Sequence, residues 1–216
     1  MEVNKIVSVL TVVAVVVALA NVSITLMKVS YFNEKITGLA STGYVNITVE
    51  TEISINMSRD TVNWGSGLIN GTGANRFNAT LKTAQETATV ERGNWSYGSV
   101  KGLILQNLGN INASINLSTT NNADDLFGSA EGPSSDNQRY KWNVTNKDAG
   151  SCSGGIGPLN TWLDVNKSTS ENFCGQFNYG NNENEVYIDI WLTVPYDAQN
   201  TGSRSDTITV TAGTAF

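Results

Sequence analysis

Residues 6–27 read IVSVLTVVAVVVALANVSITLM, 22 positions without one charged side chain, bracketed by Lys5 and Lys28. As a helix this run is about 33 Å long, the thickness of a bilayer hydrocarbon core. It is apolar nearly all round rather than striped, so such a helix must be surrounded by lipid or by other helices. Ser8, Thr11, Ala14 and Ala18 are small, which lets neighbouring helices approach, and they are the expected helix–helix contacts. Helical patterning continues from Lys28 to Gly38, where glycine supplies a stop. Three readings compete. Ala18-Leu19-Ala20 has the small-x-small form of a signal-peptidase site, although the apolar run continues past it. The segment also fits a permanent anchor, or a membrane-stored helix that later polymerises in a filament.

Beyond Gly38 the period changes from helical to two. Val45, Ile47, Val49, Thr51, Ile53 and Ile55 alternate with Asn46, Thr48, Glu50, Glu52, Ser54 and Asn56, predicting one strand with a buried face. Ile111, Ala113, Ile115 and Leu117 form a second such face, and Val186, Ile188, Ile190, Leu192 and Val194 a third. Further strands are predicted at Leu103–Leu105, Tyr140–Val144 and Thr207–Thr211. Turn chemistry separates them at Gly65-Ser-Gly67, Asn70-Gly71, Leu108-Gly-Asn110, Gly128–Pro133, Ser153–Pro158 and Gly180-Asn-Asn182. With no second helical pattern, the expected fold is α+β by content: one long N-terminal hydrophobic helix, residues 1–39, then an all-β antiparallel sandwich, residues 40–216, immunoglobulin-like or jelly roll. The stretches 119–139 and 150–184 are polar and read as decorations at the exposed end of the sandwich.

Composition narrows the function classes. The chain of 216 residues has 13 Lys+Arg against 19 Asp+Glu, a net charge of −6, and no basic tract, so a nucleic-acid partner is not expected. Histidine is absent, which removes the commonest proton carrier and zinc ligand. No serine therefore has a histidine base, and Gly65, Gly67 and Gly71 do not link a strand to a helix as a phosphate loop does. An enzyme is not expected, nor any cofactor or metal. Asp124-Asp125 and Glu183-Asn-Glu185 match no calcium-loop spacing and read as solvated acidic turns. Glu185 or Asp189 paired with another acid is the remaining catalytic option, and nothing in the sequence suggests raised pKa values or a pocket for it.

Cys152 and Cys174 lie in a polar, Gly-rich stretch, and in a secreted chain such a pair reads as a loop-pinning disulfide worth roughly 3 kcal/mol. Two free thiols, or half a metal site, are the rival readings. The sequon Asn-x-Ser/Thr occurs at Asn21, Asn46, Asn56, Asn70, Asn78, Asn94, Asn112, Asn116, Asn143 and Asn166, about twice the number composition gives by chance. Asn21 lies in the apolar helix and is set aside, while the other nine are the expected N-glycosylation sites. Trp64, Trp95, Trp142, Trp162 and Trp191 fit core or subunit packing better than sugar stacking, although Trp95 and Trp162 in an exposed groove would suit a sugar-binding module.

A charge-free N-terminal helix running into a Thr/Asn-rich β-domain resembles archaeal type IV pilins and related adhesion filament subunits. The resemblance implies a helical homopolymer at the cell surface, helices in its core and glycosylated β-domains as its sheath. Its partners are then copies of itself, the membrane through residues 6–27 before assembly, and surfaces or other cells in adhesion. The chain departs from that family in lacking a Lys/Arg-Gly processing site, and in Glu2 and Lys5 ahead of the apolar run. A weaker similarity, through Tyr31-Phe32-Asn33 after the helix, points to TasA-like and camelysin-like fibre proteins. The alternative expectation is a monomeric cell-surface glycoprotein or adhesin, anchored by the same helix.

Overall fold

The computed structural model describes residues 2–36, 47–70, 78–128, 139–153, 158–167 and 169–215. The predicted stop at Gly38, the boundary after residue 39, Val45 and the sequon at Asn46 lie outside the described residues. The chain divides into two compact units, Met1–Val49 and Glu50–Phe216.

The first unit is built on α1 (Glu2–Ile36), 35 residues long. Every side chain described between Val3 and Lys28 is exposed, and Ile6–Lys28 has a mean hydropathy of 2.5. The helix is long and apolar enough to cross a membrane. Its polar residues do not interrupt that surface, because they bond to their own backbone. Thr11 and Asn21 donate to the carbonyls of Val7 and Val17, and Ser23 and Thr25 to those of Leu19 and Asn21, at 2.8–3.0 Å. Such i−4 bonding satisfies hydroxyls and amides that have no water around them.

The second unit is a sandwich of antiparallel sheets. Its elements are β1 (Ile55–Arg59), β2 (Ala79–Ala84), β3 (Thr87–Glu91), β4 (Leu103–Asn107), β5 (Ala113–Thr119), α2 (Ala123–Phe127), β6 (Arg139–Asn146), β7 (Cys152–Ser153), β8 (Leu163–Asp164), β9 (Glu171–Phe177), β10 (Glu185–Val194) and β11 (Ile208–Thr214). The larger sheet is organised by β10. On one side it pairs with β6 along most of its length, and β6 carries β8. On its other side β4 pairs with Glu185–Ile188 and β2 with Trp191–Val194, end to end. Outside these lie β1 and β3. The smaller sheet runs β11-β5-β9-β7.

Between the sheets Leu105, Ile115, Leu117, Trp142, Val144, Phe173, Phe177, Val186 and Ile188 form the main core. Trp142 meets Phe173 edge to face, ring centroids 5.3 Å apart. Asn107 of β4 ties the layers: its buried amide donates to the Ile111 and Phe177 carbonyls at 3.1 and 2.9 Å. A second cluster of Trp64, Ala79, Leu81, Ala88 and Val100 packs against Leu192 and Val194.

Several predicted elements shift. Among the described residues of the alternating run the ladder with β4 starts at Ile55; before it the Ser54 and Glu52 carbonyls accept from Leu108, Gly109 and Asn110, while Ile47 and Val49 are 83% and 75% exposed. The polar stretch 150–184 is no mere decoration, because it supplies β9, an interior strand whose Phe173, Cys174 and Phe177 are fully buried. Both faces of β9 meet neighbours, so no polar face was needed to mark it. The short helix α2 also lay in a stretch read as loop. It starts with a reciprocal cap in which Asn122 accepts the Asp125 N–H and the Asp125 carboxylate accepts the Asn122 N–H, each at 3.0 Å.

Phe173→Ala removes a fully buried ring from the middle of the core. It should lower unfolding stability by about 3–5 kcal/mol in urea titrations of the detergent-solubilised chain. Ile47→Ala should change the same midpoint by less than about 0.5 kcal/mol.

Candidate functional site

Where β2 stops and β4 begins, the side of β10 has a gap opposite Asp189, and a polar network fills it. Asp189 Oδ1 accepts the Gln85 N–H at 2.7 Å and the Thr83 hydroxyl at 3.0 Å. The Thr83 oxygen in turn accepts the Ile190 N–H at 2.8 Å. Gln85, first residue of the two-residue β2–β3 turn, has φ +58, which is uncommon away from glycine. Its N–H is held by Asp189 and its carbonyl by the Gly102 N–H at 2.8 Å. A Cβ on Gly102 would collide with the Asp189 carboxylate, so only glycine lets β4 start here.

Around this gap, Arg59 of β1 donates to the Gly102 carbonyl at 2.9 Å and to Glu86 at 2.7 Å. Lys101 and the Tyr187 hydroxyl also donate to Glu86, at 2.9 and 3.0 Å. The hydrogen bonds from Lys101 and Arg59 hold Glu86 down at a pKa of about 2, against a smaller desolvation effect. Asp189 moves the other way, because burial raises its pKa more than its hydrogen bonds lower it. The two acids serve the joint between strands. No histidine, thiol or second carboxylate joins Asp189 to make an acid–base pair, and Glu185 is engaged instead by Lys147.

An open cleft lies over part of the larger sheet. It has a volume of about 680 Å³. Leu81, Leu103, Ile190, Leu192 and Val194 form its floor, with Val62, Trp64, Phe127 and Ile208 at its sides. Asp60, Asn63, Arg204 and Asp206 stand on the rim. Asp206 is committed to the fold, accepting from the Thr120 hydroxyl at 2.7 Å and the Asn121 N–H at 3.0 Å. Burial, and then the Asp206 charge, push the Tyr140 phenol up, so it stays protonated and is no base. Composition gave no sign of this cleft, since its floor residues come from three strands far apart in sequence.

The expected site residues fall in different places. Cys152 and Cys174 form a buried disulfide joining β7 to β9. Ser8, Thr11, Ala14 and Ala18 are exposed on α1. Asn56, Asn70, Asn94 and Asn166 are exposed, whereas Asn78, Asn112 and Asn116 are half-buried. Asn143 is 8% exposed and sits directly opposite Asp189 in the β6–β10 ladder, a position with no room for a glycan in the folded domain. Asp125 pairs with Lys167 at 3.0 Å, and its carboxyl is held low by the Asn122 N–H first and Lys167 second. Trp95 is hemmed in by Gly67 and Gly93, where any Cβ would strike its ring. Trp162 meets Trp191 edge to face at 5.6 Å, with the Lys82 ammonium over both rings at 4.9 and 5.1 Å. Trp95 and Trp162 are both half-buried, and Trp95 also lines the cleft. Among the described residues no cluster of acids or cysteines is arranged to hold a metal.

Comparison with protein-family models, curated proteins and solved structures finds no match to this chain.

Asp189→Ala should cost about 2–4 kcal/mol, since it strands the Gln85 N–H and the Thr83 hydroxyl in a buried gap. Glu86 contributes stability above its unfolded pKa of 4.5, and that contribution is lost as pH falls toward about 2. Melting curves should therefore separate wild type from Glu86→Gln at pH 6 and bring them together near pH 2.

Proposed function

We propose that this chain is a structural subunit of a self-assembling extracellular filament, with its helices bundled as the core and its glycosylated β-domains as the outer surface. The observation that carries this reading is α1: 35 residues long, strongly apolar from Ile6 to Lys28, and with none of that stretch buried by the rest of its own chain. So large an apolar surface needs a cover. Before assembly lipid supplies it, and the helical length of about 35 Å matches a bilayer. In a filament, neighbouring helices supply it instead. Apolar surface then passes from one apolar surrounding to another, so extraction from the membrane costs little hydrophobic free energy.

Ser8, Thr11, Ala14 and Ala18 follow one another at steps of three, three and four residues and so share one face of α1. Small side chains there let helix axes come close, and dispersion contacts then hold the bundle. The β-domain suits an outer position. It contains a buried disulfide, which fits an oxidising exterior, and Glu86, Asp125, Glu185, Asp189 and Asp206 are engaged in ion pairs or hydrogen bonds of the fold. Residues 6–27 place the chain in the membrane before assembly and at the cell surface after it.

Two measurements test the reading. Electron microscopy of material sheared from intact cells, with peptide mapping, should find uniform filaments that contain this chain with residues 6–27 retained. Chain that stays in the membrane fraction and is released only by detergent would favour the alternative, a monomeric surface protein anchored by α1. Val16→Asp or Ala18→Lys should abolish filaments while leaving the β-domain's unfolding midpoint unchanged. Normal filaments from either variant would overturn the bundle.

A further inference from the structure

We propose that N-linked glycans on Asn56, Asn94 and Asn166 shield the free edges of the seven-stranded sheet. The inference rests on the reading of the β-domain as the outer surface of an assembly.

A sheet edge presents a row of unpaired backbone N–H and C=O groups, ready to pair with another chain. In a filament many copies of one sheet are held close together, which sharpens the danger of edge-to-edge pairing. The larger sheet has three edges, at β1, β3 and β8. An exposed sequon lies at each. Asn56 is within β1, on the exposed side of a strand whose Ile55 and Met57 turn inward. Asn94 lies just past the open stretch of β3, where residues 68–70 already pair with the chain: the Arg92 carbonyl accepts the Asn70 N–H, and the Asn94 N–H donates to the Leu68 carbonyl. The Asn94 Oδ1 accepts the Leu68 N–H at 2.5 Å, a bond that a glycan on Nδ2 leaves intact. Asn166 stands two residues beyond β8 and is also exposed.

Sequons on interior strands are closed by comparison. Asn143 on β6 is buried against the neighbouring ladder. Asn116, on the interior strand β5 of the smaller sheet, is half-buried. Open and closed sequons thus differ in burial: Asn143, just past the two-residue β6–β8 pairing, is closed, and Asn70, beside the end of β3, is exposed as well. A strand adding to an edge would lie only about 4.8 Å from it, a space that the first sugar beside the edge already occupies. The one long edge without a sequon, among the described residues, is β11 (Ile208–Thr214), which pairs only with β5. The shield accordingly covers the larger sheet and leaves β11 bare.

Glycopeptide mass spectrometry of the full chain, isolated from its native cells, tests occupancy. Glycans on Asn56, Asn94 and Asn166, with Asn143 bare, are expected. Bare edge sequons, or an occupied Asn143, would overturn the assignment. The shielding role is tested by replacing all three (Asn56→Gln, Asn94→Gln, Asn166→Gln) in the same cells. Several-fold more thioflavin-binding, sedimenting aggregate than wild type is expected, with no such rise in an Asn112→Gln control. A triple variant as dispersed as wild type would overturn the role. Filament formation is scored separately, so loss of the filament reading and loss of the shield give different results.

Discussion

The larger sheet hangs on β10, and β10 works only because Asp189 fills the gap between the strands that share its side. Leucine or valine at this position would leave the Gln85 N–H without a partner and a left-handed turn unsupported. The carboxylate takes both the Thr83 hydroxyl and the Gln85 amide, and thereby fixes where β2 ends. Gly102 fixes where β4 begins, because nothing larger fits against the same oxygen. Arg59, Lys101 and Tyr187 then converge on Glu86 and bring β1, β4 and β10 to the same point. The two carboxyls respond to acid in opposite directions: protonation removes the stabilising contribution of Glu86, whereas it relieves the burial of the Asp189 charge.

The same arrangement shapes the domain's surfaces. With β4 and β2 set end to end, the larger sheet is longer than the smaller one can cover. The main core of Trp142, Phe173 and their neighbours lies under the overlap. The uncovered part carries the cleft and a second cluster around Trp64 and Leu81. Asn107 ties the two layers at the overlap, and the Cys152–Cys174 disulfide fastens β7 to β9 within the smaller sheet. The ionisable groups that invited a search for catalysis, Glu185, Asp189 and Asp125, are each committed to an ion pair, a turn or a helix cap.

How far the sequence could be read depended on how each element is buried. β5 and β10 were legible because Ala113, Ile115 and Leu117, and Val186 through Val194, alternate inward. Even so, Tyr187, Asp189 and Thr193 on the other face of β10 are buried too, under side chains that no local pattern announces. β2 and β3 escaped notice because KTAQETATV carries few large apolar residues and turns on Gln85-Glu86, without Gly, Asn or Asp. Long-range hydrogen bonds to Asp189 and Gly102 enforce that turn. The alternation misled for the converse reason: a period of two shows that a segment can form a strand, but a ladder requires a neighbouring strand. Among the described residues Glu50–Ser54 meet only the 108–110 turn, while Ile47 and Val49 are exposed.

The sequence by itself determined α1, because a charge-free stretch as long as a bilayer is thick has one stable backbone form in apolar surroundings, and all its hydrogen bonds are local. It determined the sandwich class for a similar reason, since side-chain alternation is a property of neighbouring residues. It favoured a Cys152–Cys174 disulfide over free thiols or half a metal site, and the structure decided that they pair. The tertiary structure decided which strands meet, that β9 is interior, that Asn143 is closed while Asn56, Asn94 and Asn166 stay open, and that a cleft lies over Leu81 and Leu192. Those outcomes come from contacts between residues far apart in the chain, and burial imposed by a distant strand leaves no period in the segment it buries.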